Sequence, residues 1–110
     1  MLKAENLDMS PIITQRRAEL LSLCLKYRVL RLEVFGSAVS STDLREDSDL
    51  DLLVEFQLLP QGEYADAFFG LLEALESLFG RPIDLVVSTA ITNPYFRESV
   101  DRTKALLYAA

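Results

Sequence analysis

The sequence predicts a small α/β layer domain, and three observations carry that prediction. Segments with apolar residues at helical spacing alternate with shorter ones in which apolar and polar residues take turns. Turn-forming residues punctuate the joins. The chain has 110 residues, enough for one real core but short for a second, and no repeat, low-complexity tract or linker divides it. A single domain over 1–110 is therefore expected.

The elements follow in order. Ser10-Pro11 reads as an N-cap followed by proline at the first helical position. Ile13, Leu20, Leu21, Cys24 and Leu25 then give an apolar stripe as far as Tyr27, which predicts the first helix. In VLRLEVF (29–35), Leu30, Leu32 and Val34 alternate with Arg31 and Glu33, the signature of a strand with one buried face. Residues 40–48, SSTDLREDS, are turn-formers and charges and read as a loop or short irregular helix. DLDLLVEF (49–56) is the second strand. After the loop QLLPQG, the segment YADAFFGLLEALESLF places Phe68, Leu71, Leu72, Leu75 and Phe79 at helical spacing, and Gly80 ends it. RPIDLVV is a third strand, and Asn93-Pro94 starts a last helix expected to reach about Tyr108. The predicted order is α-β-β-α-β-α.

Composition excludes several chemistries. There is no histidine, so imidazole bases, Ser-His-Asp triads and histidine-ligated metals are ruled out. Cys24 is the only cysteine, which removes intrachain disulfides and thiolate zinc sites and suits a reducing compartment; core packing is its expected role. With 17 acidic against 11 basic residues, the net charge of −6 argues against nucleic acid as a partner, since phosphate backbones are bound by cations. MLKAENLDMS has no apolar targeting core, and no stretch approaches the roughly 20 apolar residues of a membrane span. A cytoplasmic protein without membrane association is expected. Half the residues are hydrophobic and the mean hydropathy is +0.18, which suggests apolar surface buried against a partner.

The acidic residues carry the chemistry. In an extended strand Asp49 and Asp51 project from one face while Leu50 and Leu52 project from the other. Two close carboxylates repel unless a cation neutralises them, and an oxygen-only donor set suits Mg²⁺. If the second and third strands are neighbours, Asp84 joins the same face. Gly36-Ser37, at the end of the first strand, lets backbone approach a ligand and offers N–H groups and a hydroxyl to phosphate oxygens. Each feature has an ordinary alternative. The Asp pair can start a strand in solvent, Gly-Ser can be a turn, and Asp84 can guard an edge strand. Only the combination favours a site.

VFGSAVSSTDLREDSDLDLLVEF resembles the signature of the DNA polymerase β-like nucleotidyltransferase superfamily, with Gly-Ser at a strand end and Asp-x-Asp about a dozen residues later. More narrowly, RLEVFGS, SDLDLLVEF, LFGRPIDLV and NPYFRESVDRTKALLYA together resemble the minimal nucleotidyltransferases (MNT proteins) paired with HEPN toxins in toxin-antitoxin systems. The resemblance implies a nucleotidyltransferase fold of α/β (α+β) class, with a small mixed sheet of three to four strands flanked by helices. It implies that Gly36 and Ser37 hold the triphosphate of ATP and that Asp49 and Asp51 ligate Mg²⁺, two ions in all. Asp84 would complete the metal site and help activate an acceptor hydroxyl, so Asp49, Asp51 and Asp84 form the catalytic and metal set. The implied reaction moves AMP from ATP to a tyrosine of the HEPN partner, making the chain an antitoxin in a homo- or hetero-oligomer.

One departure is visible. Relatives commonly read Gly-Ser-Arg-Ala-Arg-Gly where this chain has Gly36-Ser37-Ala38-Val39-Ser40-Ser41, without either arginine. Two further readings thus stay open: a catalytically weak relative that neutralises the toxin by binding alone, and a nucleotidyltransferase for a small molecule such as an aminoglycoside.

Overall fold

The computed structural model describes residues 11–36 and 49–110, and everything structural below concerns those residues. The predicted first helix is two pieces, α1 (Pro11–Thr14) and α2 (Arg17–Lys26). Between them the hydroxyl of Thr14 donates to the Pro11 carbonyl at 3.2 Å, and the Arg16 N–H bonds back only three residues to Ile13. A side chain competing for backbone acceptors and a tightened turn end the regular ladder there. Ile13, Leu20 and Cys24 are buried, whereas Leu21 and Leu25, expected in the same stripe, face solvent.

Strand β1 (Val29–Phe35) follows, then β2 (Leu50–Phe56), helix α3 (Glu63–Phe79), β3 (Ile83–Val87) and a 3-10 turn at Ser88–Ala90. Gly80, at φ 64°, caps α3 as expected, its N–H returning to the Glu76 carbonyl. Helix α4 (Pro94–Thr103) starts where predicted, with the Asn93 side chain accepting from the N–H groups of Tyr95 and Phe96.

The expectation that this last helix reaches Tyr108 is wrong. It stops at Thr103, and Ala105–Ala109 form a fourth strand, β4, antiparallel to β1. The segment ALLYA has no strong preference of its own. Beside β1 it finds a row of unpaired backbone groups, and tertiary pairing decides its state. The sheet is mixed, in the order β3-β2-β1-β4, with β1–β2 antiparallel and β2–β3 parallel through the α3 crossover.

Register sorts the side chains onto two faces. Leu32, Val34, Leu50, Leu52, Val54, Ile83 and Leu85 join Ile13, Leu20, Cys24, Leu71 and Leu75 in the main core. On the other face Phe35 and Leu53 pack under Val100 of α4, with the Phe96 ring edge-on to Phe35 at 6.0 Å. The second face is therefore partly roofed, and one residue read as exposed is buried on it. Glu33 is 5% exposed, paired with Arg31 at 3.3 Å and with Lys104 at 3.8 Å. Cys24 is buried and unpaired, as expected, and burial pushes its thiol up to about 12.

Candidate active site

The site is built at the end of the sheet where β1 finishes and β2 and β3 begin. Asp51 lies directly across from Phe35 on β1 and from Asp84 on β3. Parallel register partners project to the same side, so Asp51 and Asp84 share the face on which α4 sits. Asp49 precedes β2 by one residue and is exposed. The chain is fixed there by the Leu50 N–H, which bonds to the Pro82 carbonyl at 3.1 Å. The alternation expected of β2 holds, with Leu50 and Leu52 fully buried and Asp51 half-buried.

Burial raises the Asp51 carboxyl above its ordinary range, and the charges of Asp84 and then Asp49 raise it further. Asp51 thus feels both of the other acids. Among the described residues other than Arg81, no lysine or arginine forms an ion pair with any of the three. Nor do three or more His, Cys, Asp or Glu side chains gather there as a ready-made metal cluster. A hard cation that takes one or two carboxylates and fills its shell with water and substrate phosphate does not need such a cluster. The all-oxygen donor chemistry and the repulsion that Asp51 feels from Asp84 and Asp49 fit Mg²⁺.

Gly36 closes the other side. Its φ is +75°, and a Cβ on it would lie 2.6 Å from the Asp51 carboxylate oxygen Oδ2. Only glycine brings the backbone this close in this conformation. Ser37, its expected partner in holding phosphate, lies outside the described residues, as does the 40–48 loop. One residue that sequence reading passed over also meets the site: the Gly36 N–H donates to the hydroxyl of Thr103 at 3.3 Å, across 67 positions of chain. Nothing in the local pattern around Thr103 announces that contact.

A mixed sheet with one face closed by helices, and carboxylates meeting a glycine where its other face opens, defines a class of small α/β domains suited to phosphorylated ligands. The comparisons with known proteins make the class specific. The model of the nucleotidyltransferase domain family matches residues 18–106. Protein adenylyltransferase MntA of Thermococcus cleftensis is 35% identical over 91 residues, covering 83% of this chain and 83% of that protein. A solved structure described provisionally as a minimal nucleotidyltransferase is 39% identical with a TM-score of 0.69, covering 84% of this chain and 90% of that one. A chain from the complex of a tri-AMPylated Shewanella oneidensis HEPN toxin with its MNT antitoxin shares the fold at 16% identity and a TM-score of 0.60, over 88% and 72% of the two chains. The protein belongs to the nucleotidyltransferase domain family and, within it, to the minimal nucleotidyltransferases. It is an enzyme of the nucleotidyl-transfer class.

Proposed function

We propose that the chain transfers AMP from ATP to a tyrosine hydroxyl of a HEPN toxin in an Mg²⁺-dependent reaction, and so acts as the antitoxin of the pair. The observation that carries this reading is the meeting of Asp51 with Asp84 as register partners while Gly36 lies against the Asp51 carboxylate. The name of the Thermococcus cleftensis relative and the AMP-bearing toxin in the Shewanella oneidensis complex support the donor and the partner.

Asp49 and Asp51 are the residues to hold Mg²⁺, with Asp84 beside them. Bound there, two divalent ions would neutralise the charge that builds on the attacking oxygen and on the departing pyrophosphate. Gly36 presents backbone rather than side chain to the triphosphate, and Ser37 follows it in sequence to supply a hydroxyl. In this reading Asp84, which is exposed on the shared face, orients the acceptor hydroxyl and helps activate it by receiving its proton. The half-roofed setting of Asp51 lowers the local dielectric and strengthens each of these interactions. The same reading takes the protein to be a single domain working inside the cell, in a complex with its toxin.

The test incubates the chain with labelled ATP, Mg²⁺ and its HEPN partner and looks for the mass of AMP on the partner. Labelling that requires Mg²⁺ is the expected result. Suppression of the toxin without label under any metal condition would favour a second reading, neutralisation by binding alone. One observation favours that alternative, the replacement of both arginines after Gly-Ser by Ala38 and Ser40.

A further inference from the structure

We infer that Thr103 is a positioning residue for nucleotide transfer, holding Gly36 in the conformation that brings its backbone against Asp51. This role rests on the reading of the acidic face as the transfer site. Thr103 is the last residue of α4 and is exposed, so little packing explains its side chain. Its hydroxyl does two things at once. It accepts the Gly36 N–H at 3.3 Å, and it lies 3.2 Å from the Ser99 carbonyl and 3.4 Å from that of Val100, to either of which it donates. Among aliphatic side chains only serine and threonine combine an acceptor and a donor in one short group.

The contact falls where it has leverage. Gly36 follows the last β1 residue that pairs with β2, so its N–H has passed the end of the ladder and Thr103 supplies the acceptor. At φ +75°, with a would-be Cβ only 2.6 Å from Asp51 Oδ2, a small shift of this glycine changes the space in front of the carboxylate. The anchor itself is held. Lys104 lies 3.0 Å from Asp101 of α4 and 3.8 Å from buried Glu33 of β1, and its N–H returns to the Val100 carbonyl at 2.9 Å. The α4–β4 corner is thus tied to the strand whose end it clasps, and a displacement of α4 is transmitted to Gly36.

The test compares Thr103→Val, which keeps the shape and loses the hydroxyl, with Thr103→Ser, which keeps the hydroxyl. MgATP binding is measured by calorimetry, kcat and KM for ATP in partner labelling, and Gly36 amide exchange by NMR. The valine variant is expected to lose roughly ten- to a hundredfold in kcat/KM, the scale of a misplaced reacting group, with faster Gly36 amide exchange and a melting temperature close to wild type. The serine variant is expected within about twofold of wild type, since the hydrogen bond survives. Should valine disturb the helix end and unfold the protein, Thr103→Ala replaces it and the same readouts apply. Equal MgATP binding and turnover in a folded hydroxyl-free variant and the wild type overturn the positioning role while leaving the functional reading standing. Failure of the wild type itself to bind MgATP overturns that reading and this role with it.

Discussion

Gly36 shows how much one residue carries. A side chain there meets two separate penalties: the left-handed backbone, about 1–2 kcal/mol for an L-residue, and a Cβ 2.6 Å from the Asp51 oxygen. Gly36→Ala is therefore expected to lower stability by about 1–3 kcal/mol in urea titrations and to abolish labelling. Unchanged stability would mean that the strand end relaxes freely. Asp51 acts in the opposite sense. Burial and two neighbouring carboxylates raise its pKa, so ionising it costs more in the metal-free fold than in the unfolded chain, and this works against folding as pH rises above the unfolded pKa. Asp51→Asn is neutral at every pH. In EDTA at pH 7 it is expected to melt at or above the wild-type temperature while, like Asp49→Asn, it labels no partner. A clearly lower melting temperature would show the carboxylate to be structural. These acids were legible in the sequence because a period of two places alternate residues on one face whatever the strand's neighbours. Thr103 was not, because its role exists only once α4 has folded back over 67 positions. Glu33 was misread for a related reason: alternation assigns it a face, but not the helix that covers that face.

At the level of elements, the sequence was most readable where local chemistry and tertiary packing agree. Asn93-Pro94 opened α4 and Gly80 closed α3 as expected, since caps act within a turn of themselves. The chain beyond Thr103 was read as helix because ALLYA has no turn signal before it, and only the exposed edge of β1 makes it a strand. The break between α1 and α2 was hidden in the same way, in a hydroxyl bonding back to Pro11. Gly70, inside α3, tests how packing overrides propensity. A Cβ there would lie 2.6 Å from Cε1 of Tyr27, the residue that ends α2. Alanine gains about 1 kcal/mol of helix propensity over glycine but drives into a ring packed against the core. Gly70→Ala is expected to destabilise the wild type and, in a Tyr27→Ala background, to stabilise by about 1 kcal/mol. A change of the same sign in both backgrounds, measured by urea unfolding, would show that the ring does not set the α2–α3 spacing.

Across the whole molecule, the charge balance and the site push in the same direction. The chain carries six more negative than positive charges, and at one end of the sheet Asp51 is repelled by both Asp84 and Asp49. Diffuse repulsion over the surface is relieved by any salt, because charges beyond about 8–10 Å are screened near 0.1–0.15 M ionic strength. Repulsion of Asp51 by Asp84 and Asp49 acts at shorter range at a half-buried carboxylate, where simple screening is weak and a bound divalent ion is effective. A ligand that binds only the folded state at ten times its Kd adds about 1.4 kcal/mol, which for a domain near this size raises Tm by roughly 4–8 °C. Mg²⁺ is therefore expected to raise Tm more than NaCl at matched ionic strength. The excess should vanish in an Asp49→Asn, Asp51→Asn double variant, whereas the NaCl response, which belongs to the surface as a whole, should persist in it. If NaCl reproduces the entire Mg²⁺ effect in the wild type, the acidic face holds no ion without nucleotide, and the carboxylates bind metal only as part of its complex with the triphosphate.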